Sequence, residues 1–202
     1  MALKSSAALK AVDDVYEQDG RRRRSQDSRA RIVAAMLELV AGGNVDPGAE
    51  LVAAHAQVGL RTVFRHFKDM DSLYREMSTV IEGELSAVVR QPLKGDSWRE
   101  QLSDLIGRRA MAFEKIGPYK RASDVHRHAS PLLESNHARL VEGSRANLKR
   151  LLPPEIGGDA VQLEALDLLL SYEAWSRLRR EQKLTPKRAR ETVEAAVARL
   201  IG

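Results

Sequence analysis

The sequence predicts an all-α protein, and three observations carry that reading. Hydrophobic residues make up 43% of the 202 residues while aromatics are only 4%, and Leu and Ala dominate the apolar set, a composition that favours helices. Helix-start signals recur along the chain. No stretch alternates apolar and polar residues with the period of a strand.

The elements follow in order. Residues 1–20 read as a weakly structured tail, and Arg21 to Arg24 follow as four like charges that repel one another. That run is either a solvated arm or a basic arm lying along phosphates or in a minor groove. A first helix is expected from Asp27 or Ser28, either of which can cap it, with an apolar face of Ile32, Val33, Met36, Leu37, Leu39 and Val40. Gly42 to Asn44 ends it. Asp46 with Pro47 at the first position is expected to start a short second helix reaching about His55. A turn, Ala56 to Gly59, leads into a third short helix.

Longer helices are expected beyond. One runs from Asp71 to Arg90 and stops before Pro92. Ser97 and Glu100 have the spacing of a capping box and start the next, to about Lys115. Gly117 and Pro118 are read as a break, with a shorter helix from there to His128. Ser130 and Pro131 start another, ending before Pro153 and Pro154. Asp159 caps a helix to Gln182, and Thr185 with Pro186 starts the last. The total is nine helices: a three-helix part and a larger six-helix part.

Charge and composition bound the function. There is no cysteine, which excludes disulfides, thiolate catalysis and Cys-type zinc sites. No apolar run is long enough to span a bilayer and no secretory leader is visible, so a cytoplasmic protein without a membrane partner is expected. Residues 1–20 carry a net −2, residues 21–68 a net +5 and the remainder a net +2. The positive excess is therefore local, as expected of a surface that meets an anionic polymer.

That block ends within "GLRTVFRHFKDMDSLY", Gly59 to Tyr74. Read as helical, Leu60, Val63, Phe64 and Phe67 form an apolar stripe at i, i+3, i+4 and i+7. Arg61, Thr62, Arg65 and His66 lie off it. A segment this short needs neighbouring helices to hold it. Three short helices with a tight turn before the third match a helix-turn-helix, whose second helix enters the major groove of double-stranded DNA. Arginine can pair with guanine through two hydrogen bonds, and the threonine methyl can touch that of thymine. Lys68 and His66 are placed for phosphates.

These residues resemble the DNA-binding domain of TetR-type (TetR/AcrR family) transcriptional regulators. The family's Thr-Leu-Tyr-x-His-Phe ending of the recognition helix is similar to Thr62-Val63-Phe64-Arg65-His66-Phe67, and its downstream Leu to Leu73. Three positions differ. The family's Tyr is Phe64, its Gly-Val-Ser turn is Gln57-Val58-Gly59, and its Lys after His-Phe is Met70, with Lys68 close by. The resemblance implies a flexible basic arm over 1–24, a DNA-binding domain over 25–70 with contacts from Gly59, Arg61, Thr62, Phe64, Arg65, His66 and Lys68, and a ligand-binding and dimerisation domain over 71–202. It implies a ligand-responsive regulator, a repressor, that binds a near-palindromic operator as a homodimer.

The larger part is less legible. Val161, Ala165, Leu168, Tyr172 and Trp175 form one stripe, and Leu166, Leu170 and Leu178 a second, so that helix needs cover on two sides. Ala189, Val193, Ala196, Val197 and Leu200 give the last helix one apolar face. Two such helices from each subunit would form a four-helix interface. Trp98, Phe113, His126, Tyr172 and Trp175 are the candidates for contact with an unknown small-molecule effector, with Tyr119, His128 and His137 considered beside them. His126 and His128, two apart on a helix, do not face the same way, and no metal site is expected. No cofactor is expected. No phosphate loop, catalytic triad or carboxylate pair is visible, and Glu82 and Glu84 are poorly spaced for joint acid–base work, so an enzyme is not expected. The alternative is a helical protein-interaction module, derived from such a regulator, in which DNA binding is weak or lost.

Overall fold

The computed structural model describes residues 23–89 and 91–202, and among these it contains ten helices and no strand. The expected arm over 1–24, save Arg23 and Arg24, lies outside the described residues, as does Arg90 at the expected end of the fourth helix. The all-α class is borne out. The chain forms two compact units, the first ending at Met77 and the second starting at Ser78.

In the first unit α1 occupies 23–41. It is already helical before Asp27 and Ser28, so neither caps it. The Ser28 hydroxyl instead donates back to the Arg24 carbonyl at 2.9 Å, as an interior helical serine does. Ile32, Met36 and Val40 are almost fully buried. The helix ends as expected: Gly43 adopts φ 100°, the Asn44 N–H reaches the Leu39 carbonyl and the Gly43 N–H the Val40 carbonyl, which together make a Schellman motif.

Helix α2 is Ala49–His55, and its N-cap is Gly48 rather than Asp46. The Asp46 N–H donates to the Asn44 side chain at 3.1 Å, a side-chain turn that keeps Asp46 and Pro47 outside the helix. The Asp46 carboxylate faces the hydroxyl of buried Tyr74 at 3.5 Å. Burial, then the charge of Asp46, raises the Tyr74 pKa well above its ordinary value. Helix α3 is Leu60–His66 and packs on α2. Helix α4 is Met70–Val89. Asp69 caps it, its carboxylate accepting from the Ser72 N–H at 2.8 Å.

In the second unit four caps stand where the sequence marks them. Ser97 and Glu100 form the capping box that opens α5, Trp98–Arg127. Ser130 caps α6, Pro131–Leu151. Asp159 caps α8, Ala160–Leu169. Thr185 caps α10, Pro186–Ile201. The core gathers Leu102, Ile106, Leu148, Leu163, Leu166 and Val197 from these four helices.

Three expectations need correction. Helix α5 does not break at Gly117 and Pro118. A proline there removes one N–H and crowds the turn before it, but the helix runs through it, and α6, α9 and α10 all pack on α5. Gly117 is buried, and its carbonyl accepts from the Tyr172 hydroxyl at 3.2 Å. Conversely, 159–182 is not one helix. It stops at Leu170, and Ser171 caps a new short helix α9, Tyr172–Ser176, by accepting from the Ala174 N–H. The Leu170 carbonyl at the break is taken by Arg109 at 3.0 Å. A π-helical turn, Arg177–Glu181, continues α9. Finally, a one-turn helix α7, Pro154–Gly157, fills the link between α6 and α8. No described helix is long and apolar enough to cross a membrane.

Candidate nucleic-acid interface

Helix α3 is positioned by its two neighbours in sequence. The connection over 56–59 is built by a second Schellman motif: Gln57 N–H donates to the Ala54 carbonyl and Val58 N–H to the Ala53 carbonyl. Gln57 sits at φ 53°, in the left-handed region that a glycine would occupy without steric cost. Gly59 is the N-cap of α3 and supplies no side-chain hydrogen bond.

The buried side of α3 is narrower than its apolar stripe. Val63 is 1% exposed and Phe67 2%, whereas Leu60 is 37% exposed and Phe64 48%. The expectation that all four anchor the helix is therefore corrected: two anchor it and two face outward. Helical spacing puts all four on one stripe, but a seven-residue helix lying on α2 needs only one row against its neighbours.

The outward face consists of two rows side by side. Leu60 and Phe64 lie one turn apart, and Arg61 and Arg65 form the adjacent row. Gly59, Arg61, Arg65 and Lys68 are exposed, and Thr62 and His66 are half-buried. Helix α3 holds no carboxylate, and neither Arg61 nor Arg65 forms an ion pair among the described residues. The structure thus brings Gly59, Arg61, Phe64, Arg65 and Lys68 to one surface, with Thr62 and His66 at its edge.

Arg29 is the residue that sequence reading missed. From α1 it donates to the His66 carbonyl at 2.9 Å, pairs with Glu76 of α4 at 2.9 Å and stacks on the Phe67 ring at 4.4 Å. One guanidinium therefore fixes the end of α3 against α1 and α4. The only cue in the sequence was its place in the basic block, which does not distinguish a brace from a surface charge. His66 is held with its pKa below the ordinary value, first by burial and then by the charges of Arg65 and Arg29. Its Nε2 is buried without a hydrogen-bond partner among the described residues.

The effector candidates divide. Phe113 meets Tyr172 edge-on at 5.7 Å between ring centroids and Trp175 at 6.5 Å. The Trp175 indole N–H donates to Glu114 at 2.8 Å, and Arg179 grips the same carboxylate at 2.7 and 2.9 Å. Beside them a cavity of about 10 Å³, lined by Ile106, Arg109, Ala110, Phe113, Leu170 and Trp175 among others, has room for one water. Burial lowers the pKa of Arg109 there, and Asp167 partly offsets the effect. Trp98 and His126 stand at opposite ends of α5, about 40 Å apart at the helical rise, so no single small-molecule pocket includes both.

The expected dimer stripe also divides. The turn at Ser171 takes Trp175, 4% exposed, into the core, while Val161 at 77% and Leu168 at 66% point to solvent. Leu166 and Leu170 are buried, as are Ala189, Val193 and Val197 of α10. Between these elements an open groove of about 160 Å³ is lined by Leu169, Leu178, Val193 and Ala196 among others.

No protein-family model matches the chain, and no curated protein matches it in sequence. Its fold is shared with solved transcriptional regulators. Over 86% of this chain and 97% of the other it is similar to SCO7518, a candidate transcriptional regulator from Streptomyces coelicolor A3(2), with a TM-score of 0.60 and 23% identity. A candidate transcriptional regulator from Pseudomonas aeruginosa PAO1 gives a TM-score of 0.65 at 20% identity, covering 85% of this chain and 89% of that one. The multidrug binding protein EbrR, solved in complex with imidazole, gives 0.58 at 20% identity over 85% and 93%. At these identities the likeness defines a shared fold.

Proposed function

We propose that this chain is a DNA-binding transcriptional regulator that represses by occupying a near-palindromic operator as a homodimer, and that a small molecule releases it. The observation that carries the reading is the outward face of α3: two exposed arginines without a carboxylate partner, on a short helix that follows a tight turn and is braced from behind. Such a face fits the major groove. Residues 25–70 would read DNA, with Arg23 and Arg24 adding charge that favours binding through counterion release. Residues 71–202 would hold the effector near Phe113, Tyr172 and Trp175. The exposed Val161 and Leu168 support a second copy of the chain as the cover for α8. The effector would act by favouring an arrangement of the two recognition helices that no longer fits the operator, with leverage set by its differential affinity for the two states.

The test is a titration with duplex fragments from upstream of the protein's own coding region. Arg61→Ala with Arg65→Ala should weaken binding on the order of a hundredfold and flatten its salt dependence. Unchanged affinity and salt slope would show that DNA is not met by this face. A second reading, a helical module for an acidic protein partner, draws on the exposure of Phe64, 48%. Tight, sequence-dependent binding to the same fragments excludes it.

A further inference from the structure

We infer that the apolar row Leu60–Phe64 is a reader of thymine methyl groups, so that the operator half-site places thymine beside the guanine taken by Arg61 or Arg65. The inference rests on the DNA-binding reading above and adds which base is recognised and by what contact.

Burying one row of α3 would have been enough to hold the helix, and Val63 and Phe67 do so at 1% and 2% exposure. Leu60 and Phe64 are only partly covered, at 37% and 48% exposed, and their exposed parts share the helix surface with the two arginines. A phenylalanine at position 64 cannot hydrogen-bond to a phosphate or a base edge, since it has neither donor nor acceptor. What it can do in a groove is exclude water from an apolar surface. In the major groove the C5-methyl of thymine is the apolar feature that distinguishes one base from the others, and phenylalanine is among the side chains that contact it. The adjacent row supplies the complementary chemistry, because arginine pairs with guanine O6 and N7. The two rows lie side by side on one surface, so the pattern inferred is a thymine close to a guanine. The charge of Arg61 and Arg65 commits the same face to an anionic partner. An uncharged apolar protein surface would leave that charge unmatched.

The experiment uses the full chain. A random duplex pool is selected for binding, and each thymine of the selected half-site is then replaced by deoxyuridine, which removes the methyl and leaves every hydrogen-bonding group in place. At one or two positions beside a guanine, deoxyuridine should weaken wild-type binding roughly fourfold per methyl, the effect of burying one methyl-sized apolar group. Phe64→Ala should bind the thymine and deoxyuridine duplexes equally at one such position. Wild-type protein that binds thymine and deoxyuridine duplexes alike at every position overturns the methyl reader while the DNA-binding reading stands. Failure to select any duplex at all overturns both.

Discussion

The arginines of α3 differ from many of those in the second unit. In the second unit many cations meet carboxylates of the same unit, among them Lys120 with Asp124 at 2.7 Å, Arg127 with Glu134 at 3.2 Å, Arg179 with Glu114 at 2.7 Å and Arg190 with Glu194 at 2.7 Å. On α3, Arg61 and Arg65 have no carboxylate on their own helix and none across from it among the described residues. Helix α10 shows how readily a sequence supplies one, with Glu194 placed one turn after Arg190. The number of positive charges therefore says little about a partner. What matters is whether a local acid has already answered them.

Breaking each kind of arginine should therefore give opposite phenotypes. Removing Arg61 and Arg65 should cost about a hundredfold in operator affinity yet leave unfolding within about 0.5 kcal/mol of wild type, as surface substitutions do. Glu114→Ala should do the reverse. It strips Trp175 and Arg179 of their shared acceptor and should lower stability by about 2 kcal/mol in urea unfolding, with DNA affinity at low temperature little changed.

Acid should sharpen the contrast. The hydrogen bond from Arg179, aided by that from Trp175 and opposed by burial, holds the Glu114 pKa below the usual carboxylate range. A carboxylate depressed in the folded state contributes stability that is complete above its unfolded value and is lost as pH falls through the folded one. Stability should decline below about pH 5, and Glu114→Gln should decline less over the same interval. Smaller effects are expected in the turn before α3. Gln57→Gly relieves a left-handed residue at φ 53° and should raise stability by about 0.5–1 kcal/mol, measured by thermal or urea unfolding. Gly59→Ser has open space for its side chain and should add only a few tenths of a kcal/mol as an N-cap, detectable as a small shift of the urea midpoint.

The features legible in the sequence are those decided within one turn of chain. Ser97 with Glu100, Ser130, Asp159 and Thr185 cap helices because a side-chain oxygen reaches an N–H three residues on, and that reach is written in the spacing. Features decided by distant partners were not legible. Pro118 reads as a stop, yet α5 passes through it, with the Gly117 carbonyl taken by Tyr172 of α9, 55 residues on. Ser171 reads as helical interior, yet it restarts the helix beside the carbonyl that Arg109 takes. The exposed arginines of α3 could be picked out because the cluster of cations at Arg61, Arg65 and Lys68 is local. The brace at Arg29 could not, because its partners lie 37 and 47 residues away.

That brace also bears on what could be transplanted. A helix of seven residues has no stability of its own, and the last carbonyl of α3 is gripped from α1 while the same guanidinium is anchored on α4. Moving Ala49–His66 onto a foreign scaffold would carry the exposed face of α3 without the part that sets its pitch. On the proposed function, the unit to transplant is the span from Arg29 to Glu76, because the brace on α3 has its anchors at those two residues.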